Sequence, residues 1–286
     1  MNTMDTLIKA IRNELKFNQE QFAASLGTTV GTINRWENGK TLPNASMQKN
    51  LVEFCRREKI ESFVCEQIIE SYKHTSDRDD LILYHGSKNG ITGEIAPIGR
   101  KETDFGRGFY MGTDVMQPLT LICGEDSPKM YTLRINLKEL KVLDIPLDMD
   151  WAFLIAYNRG HMEGYSNSPL FTRYAKMENG YDIVTGYIAN DRMYQVMNRF
   201  FEGDITNTAL LNSISALKLG KQYACISQKA CDNVEILSER TVTPFELSFL
   251  RELSANHRKE GIRVAEDIVK QYRREGKYFD ELLMEG

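Results

Sequence analysis

Residues 81–113 read LILYHGSKNGITGEIAPIGRKETDFGRGFYMGT. The stretch holds two short apolar runs, residues 81–87 and 105–113, and each run carries a polar ring in a glycine-rich setting. Runs of aliphatic and aromatic residues bounded by glycine and serine are typical of buried strands. Glycine also lets a backbone turn sharply or lie close to a ligand. The pattern therefore predicts two strand ends that place the imidazole of His85 and the phenol of Tyr110 beside one cleft.

Two further motifs follow these runs, GYIAND at 186–191 and QYACIS at 222–227. Together with HGS at 85–87 and GRGFY at 106–110, they resemble the ADP-ribosyltransferase superfamily. In its His-Tyr branch, an H-G-[ST] strand binds the nicotinamide ribose of NAD, and the tyrosine of a G-x-G-[FLI]-Y strand stacks on the nicotinamide. The order and spacing of all four motifs are similar to those of a bacterial family of small ADP-ribosyltransferase-like proteins.

The resemblance assigns roles to individual residues. It implies that NAD is bound as a substrate without a metal, and that the catalytic residues are His85, Tyr110 and Gln222. Arg107 is expected at a diphosphate oxygen, because a guanidinium suits phosphate. The residues expected to contact NAD are His85, Gly86, Ser87, Arg107, Gly108 and Tyr110. The residues expected on the acceptor side of the cleft are Asp104, Asn190 and Asp191.

The strand that begins at Gln222 departs from most protein-modifying members of the superfamily, which carry glutamate there. That glutamate binds the ribose 2′-hydroxyl and helps to deprotonate the acceptor. An amide can hydrogen-bond the hydroxyl but cannot act as a base. Three alternatives stay open: the acceptor is already nucleophilic, such as a nucleobase nitrogen; another residue, Asp191 or Glu163, supplies the base; or the domain is inactive.

The N-terminal region has the apolar period of short helices. Asn18 is a good N-cap with Gln21 at the capping-box position, and Gly27 suits a left-handed helix end. Two short helices joined by a glycine turn form a helix-turn-helix, and residues 18–44 resemble the lambda-repressor and Cro (XRE) type. In that family the third helix enters the major groove. The residues expected at DNA are Gln19, Thr29, Val30, Thr32, Asn34, Arg35 and Lys40.

The expected fold class is α+β. The resemblance implies a split, mixed β-sheet with peripheral helices, and two apolar stripes in the tail, 245–253 and 262–272, predict a pair of packed helices. The predicted regions are an all-α helix-turn-helix head at 1–72, a linker at 73–80, an ADP-ribosyltransferase-like domain at 81–240 and a helical C-terminal extension at 241–286.

The composition is that of an ordinary soluble globular protein, with 42% hydrophobic and 27% charged residues in a chain of 286. No apolar run approaches the ~20 residues of a membrane helix, and the N-terminus lacks a signal-peptide pattern, so a cytoplasmic protein without a membrane partner is expected. Five scattered cysteines argue against a disulfide framework or a zinc ribbon. Residues 1–60 carry nine basic and six acidic side chains, whereas the whole chain has a net charge of −4. A basic head on an acidic body fits a nucleic-acid-binding module.

Three functional hypotheses follow. The first is an NAD-dependent ADP-ribosyltransferase with a DNA-binding head, acting as a toxin-like or phage-defence effector on a nucleic acid or a protein. That analogy brings two further candidate partners, an antitoxin and a second copy of the chain. The second hypothesis is a DNA-binding transcriptional regulator whose degenerate domain only senses NAD. The third is a protein-interaction module built on both folds.

Overall fold

The computed structural model describes residues 3–72, 80–189, 191–216 and 220–285. These residues form a helical head, a seven-stranded mixed sheet with flanking helices, and a helical tail. The predicted α+β fold class is confirmed. The predicted linker lies outside the described residues except for Asp80.

The helical head begins and ends its helices where the sequence predicts caps. The Asn18 side chain accepts a 2.8 Å hydrogen bond from the backbone of Gln21, whose side chain accepts one from the backbone of Asn18. This confirms the predicted capping box. Gly27 has a φ of 64°, a left-handed conformation that glycine adopts without strain. The described helices of the head are α1 (Thr3–Glu14), α2 (Gln19–Ser25), α3 (Val30–Glu37), α4 (Ala45–Arg57) and α5 (Glu61–Glu70).

The body alternates short strands with helices. Its strands are β1 (Leu81–Ser87), β2 (Phe109–Gly112), β3 (Lys129–Ile135), β4 (Val142–Asp144), β5 (Ile183–Tyr187), β6 (Lys221–Cys225) and β7 (Val234–Thr241). Its helices are α6 (Met116–Ile122), α7 (Met149–Asn158), α8 (Pro169–Met177), α9 (Asp191–Phe201), α10 (Asn207–Ala216) and α11 (Gln228–Asp232), with a 3-10 turn at Glu163–Tyr165.

The sheet has the strand order β4-β5-β6-β2-β1-β3-β7, and among the described strands only the β4–β5 pair is parallel. Strand β1 pairs with β3 along all of its residues, Leu81–Ser87. It pairs with β2 at a single register, Tyr84 with Gly112. Strands β1 and β2 are therefore neighbours in one seven-stranded sheet but are joined at this single register, and we call this sparsely paired junction the split. The split leaves room for side chains at the point where the two predicted motifs approach each other.

The tail corrects one expectation of the sequence analysis. Instead of a pair of packed helices, residues Pro244–Tyr272 form one continuous helix, α12, and a short helix α13 follows at Phe279–Glu285. The two apolar stripes pack on different cores: Phe245 and Leu250 join the core of the head, whereas Ala265 and Val269 join a core of the body. Packing at both ends keeps the helix continuous through Gly261, since a glycine inside a helix costs only ~1 kcal/mol.

The head and the body share one hydrophobic core. Ile33 and Phe54 of the head belong to the same buried cluster as Leu119 and Ile122 of α6 and Phe249 of α12. Polar contacts join the same elements. The backbone N–H of Phe245 donates a 3.1 Å hydrogen bond to Oε1 of Gln48, and Arg56 pairs with Glu252 at 2.5 Å. The head is thus packed against the helix that flanks the split in the sheet.

Candidate functional site

Two adjoining cavities open at the split in the sheet. The smaller has a volume of about 120 Å³ and is lined by His85, Tyr110 and Gln222, which come from three different strands. The larger has a volume of about 510 Å³ and extends away from β1. The two cavities form one cleft, because both are lined by Tyr110, Leu121, Ile188 and Gln222.

His85 bridges the split through its ring. Its Nδ1 lies 2.7 Å from the carbonyl oxygen of Tyr110, and its ring lies against Phe109 with the centroids 4.5 Å apart. Burial lowers the pKa of the imidazole, against the opposing effect of the Tyr110 carbonyl, so the neutral ring is favoured at pH 7. A carbonyl only accepts, so Nδ1 carries the proton and Nε2 is left as an acceptor. A ribose hydroxyl is the kind of group that such a nitrogen binds.

Tyr110 is pinned by the loop that precedes it. Its hydroxyl donates to the carbonyl of Gly106 at 2.7 Å, accepts from the backbone N–H of Phe105 at 3.0 Å, and lies 2.7 Å from Oγ1 of Thr103. Burial raises the pKa of the phenol, so the hydroxyl stays protonated. With its hydroxyl fixed in the loop, the ring forms a rigid wall shared by both cavities.

Gln222 is oriented by a buried carboxylate. Its Nε2 donates a 2.6 Å hydrogen bond to Oδ2 of Asp104, which also accepts from the backbone N–H of Ala189 at 2.9 Å. The other oxygen of Asp104 accepts from Nη2 of Arg159. A carboxylate paired with a guanidinium only accepts, so the amide nitrogen of Gln222 must face it. The amide oxygen is then the group that the cleft can use as an acceptor.

The predicted acceptor-side residues have different environments. Asp104 lines the larger cavity but is only 6% exposed, and its contacts make it a partner of Gln222; its role on the acceptor side stays a prediction. Asn190 and the side chain of Asp191 lie outside the described residues. Glu163, the alternative base, is exposed on the 3-10 turn and is not among the residues that line either cavity.

Some of the residues predicted to contact NAD line the cleft and others do not. Gly86 lines the smaller cavity, and a Cβ there would lie 2.8 Å from Cγ2 of Ile122, so α6 can pack on β1 only because this residue is glycine. Gly108 is buried beside β6. Ser87 donates to the carbonyl of Gly90 at 3.1 Å, and Arg107 is exposed. Neither Ser87 nor Arg107 is among the residues lining the two cavities.

Several cavity residues were not expected from the sequence. Leu121 of α6 is apolar, lines both cavities and is 58% exposed. Arg159 and His161 follow α7 and line the larger cavity, as do Arg100 and Glu102. No motif identifies these positions.

The head presents its third helix to the surface. Val30 is 40% exposed, and Asn34, Arg35 and Lys40 are exposed as well. Thr29 caps the helix by accepting from the backbone N–H of Thr32 at 3.2 Å.

Gln19 is engaged within the head. Its amide donates a 2.7 Å hydrogen bond to Glu37, a buried carboxylate that also pairs with Arg12 at 2.5 Å. Contacts of all seven predicted residues with DNA stay predictions.

Comparisons with known proteins bear on both parts of the chain. A family model described as "Protein of unknown function (DUF3990)" matches residues 81–236, and a helix-turn-helix model matches residues 8–59. The second match supports a DNA-binding head. No curated protein and no solved structure matches the chain. Within the described residues, none of the helices has the length and apolarity that crossing a membrane requires.

Proposed function

We propose that this chain, which belongs to the family described as "Protein of unknown function (DUF3990)", is an NAD-dependent ADP-ribosyltransferase with a DNA-binding head. One observation carries the proposal: His85, Tyr110 and Gln222, which are far apart in sequence, line one cavity at a split in the sheet. The sequence motifs predict that these three residues contact the same ligand, and the three side chains line the same cavity.

The chemistry of the cleft suits NAD. Breaking the bond between nicotinamide and ribose generates an oxocarbenium-like carbon, as in glycoside cleavage generally. The Tyr110 ring offers a flat apolar surface for the nicotinamide, and Nε2 of His85 offers an acceptor for a ribose hydroxyl. The amide oxygen of Gln222 offers a second acceptor, held in place by Asp104. The cleft also has the size of a small-molecule site, for which ~300–1,000 Å³ is usual.

The DNA-binding head indicates which class of acceptor should be tested first. The helix-turn-helix match supports DNA binding, so a nucleic acid near the operator or bound by the head is the first class of acceptor to test, with protein as the second. A toxin-like or phage-defence role, with an antitoxin or a second copy of the chain as partner, rests on analogy with such fusions.

Labelled NAD tests the proposal. The full chain is incubated with NAD labelled in its adenylate phosphate and with duplex DNA, single-stranded DNA, RNA or protein extract. Label is expected on one class of acceptor, and His85→Ala or Tyr110→Ala is expected to abolish its transfer. Tyr181→Ala, which removes an exposed tyrosine outside the cleft, serves as the matched control.

Two other outcomes favour the competing functions. Thermal stabilisation by NAD without transfer of label supports an NAD-sensing regulator instead. If NAD neither stabilises the chain nor transfers its label, NAD is not a ligand. The interaction module with a DNA-binding head is then the function that is left.

A further inference from the structure

His161 presents an unused imidazole to the larger cavity. The residue follows Gly160, whose φ of 81° ends α7 and turns the chain toward the cleft. The ring packs on Phe201 at the end of α9, with the centroids 4.5 Å apart. Within the described ranges, neither ring nitrogen has a protein partner. Contact with the Phe201 ring therefore positions the imidazole, and no described side chain bonds to either nitrogen.

The charges around His161 keep its ring neutral. Burial lowers the pKa of the imidazole first, the positive charge of Arg159 lowers it further, and Glu202 at the end of α9 opposes them. From the loop before β2, Arg100 and Glu102 also line the cavity. A neutral imidazole at pH 7 has a free lone pair on one nitrogen and is able to accept a proton.

Other candidates for proton transfer fit the cleft less well. Gln222 is an amide and has no basic atom. The oxygens of Asp104 accept from Arg159, Ala189 and Gln222, so they are committed within the protein. Glu102 lines the same cavity but is exposed on the loop. Among the described residues that line the cavity, His161 combines a basic nitrogen with partial burial and no hydrogen-bond partner.

We propose that His161 is the general base that activates the acceptor in the transfer from NAD. The acceptor, an O–H or N–H group bound in the larger cavity, attacks C1′ of the nicotinamide ribose. The C1′–N bond breaks, and nicotinamide leaves as a neutral molecule with the bonding electron pair. The proton of the acceptor passes to the free ring nitrogen of His161. This role depends on the proposed function, because it has no meaning unless the cleft splits NAD.

The test uses the full chain and water as the acceptor. Release of nicotinamide is measured at saturating NAD for the wild type, His161→Gln, His161→Asn and the control Glu94→Gln. Glu94 is exposed and is not among the residues that line either cavity. Loss of a general base costs about 100- to 10,000-fold in rate, so both histidine variants are expected to lose at least 100-fold in kcat at pH 7. Their Kd for NAD is expected to stay within a factor of two of the wild-type value. Their Tm is expected to stay within a few degrees of it.

The pH profile separates a base from a structural residue. For the wild type, kcat is expected to rise from pH 5 and to level off below the ordinary histidine pKa, because only the neutral ring accepts a proton. The two His161 variants are expected to lose this limb, and Glu94→Gln is expected to keep it.

The failures of the two proposals differ. If the wild type releases nicotinamide and both histidine variants match it, His161 is not the base, whereas the proposed function stands. If the wild type releases no nicotinamide and transfers no ADP-ribose to other acceptors, the proposed function fails. The role of His161 fails with it. If both variants fail to fold, the wild type alone still tests the proposal. A wild-type kcat that does not rise from pH 5 would then show that His161 is not the general base.

Discussion

Nε2 of Gln222 donates a 2.6 Å hydrogen bond to Oδ2 of Asp104, 118 positions earlier in the chain. The carboxylate is in turn paired with Arg159, whose side chain is 15% exposed. The pair does two things: it neutralises a guanidinium at the wall of the cleft, and it sets which atom of the Gln222 amide faces the cavity. Sequence motifs identified both Gln222 and Asp104 but not that one holds the other.

Asp104→Asn tests the structural part of this relationship. The substitution keeps the size of the side chain but removes the negative charge that pairs with Arg159. Breaking a buried ion pair by removing one charge costs ~3–5 kcal/mol, and a loss of that size is expected in the free energy of unfolding by urea. Glu102→Gln, on the exposed part of the same loop, is expected to change it by less than ~0.5 kcal/mol. A loss below ~1 kcal/mol for Asp104→Asn would show that the pair does not hold the loop.

Tyr110→Phe tests the pinning of the aromatic wall. The change keeps the ring but removes the oxygen that accepts from the backbone N–H of Phe105. A buried donor without its partner costs ~1–3 kcal/mol, which is the expected loss of stability in urea unfolding. Tyr181→Phe, at an exposed tyrosine, is the control and is expected to have little effect. Equal stabilities for the two variants would contradict the geometry of the loop.

Glu178→Gln tests a pH dependence built into the body. Burial raises the pKa of Glu178 from 4.5 to about 7, against a hydrogen bond from Asn158. The folded chain thus holds this proton more tightly than the unfolded chain, so its contribution to stability is lost as the pH rises from about 4.5 to about 7. At pH 8 the Gln variant is expected to be more stable than the wild type by ~1–3 kcal/mol.

The gain from Glu178→Gln should shrink at pH 5, because the folded chain keeps Glu178 protonated there and avoids the cost of burying its charge. Urea unfolding at both pH values measures it, with Glu163→Gln on the exposed turn as the control. A gain that is the same at pH 5 and pH 8 would mean that Glu178 titrates normally.

Arg35→Ala and Asn34→Ala test the exposed face of α3. Both residues are exposed in the structure, and base contacts are worth ~1–3 kcal/mol each. Binding to DNA from upstream of the gene, measured by mobility shift, is expected to weaken about ten-fold or more for each variant. Lys9→Ala removes a positive charge from an exposed site on α1 and is expected to bind like the wild type. Binding that survives both changes in α3 would remove this helix from the interface.

The sequence predicted the parts of the fold that depend on local pattern. Caps at Asn18 and Gly27, and the strands that carry His85, Tyr110 and Gln222, could be predicted because each rests on a short, directional motif. Helix α6 could not, since seven residues interrupted by Pro118 carry too little periodicity. The position of Leu121 in the cleft therefore could not be predicted from the sequence.

Long-range geometry accounts for the other differences. Arg159 and His161 reach the cavity because α7 ends at a turn whose direction depends on tertiary packing. The single helix α12 replaced the expected pair because its two apolar stripes pack on two separate cores. In both cases the deciding contact lies more than a helix length away in sequence, where periodicity carries no information.

Calorimetric titration of NAD into the full chain tests the central claim most directly, because it requires no knowledge of the acceptor. The account predicts one site per chain, with a Kd that rises at least ten-fold, about 1.4 kcal/mol, in His85→Ala and in Tyr110→Ala but not in Tyr181→Ala. Absence of binding by the folded wild type, or equal affinity in all four proteins, would contradict the assignment of the cleft between β1 and β2 to NAD.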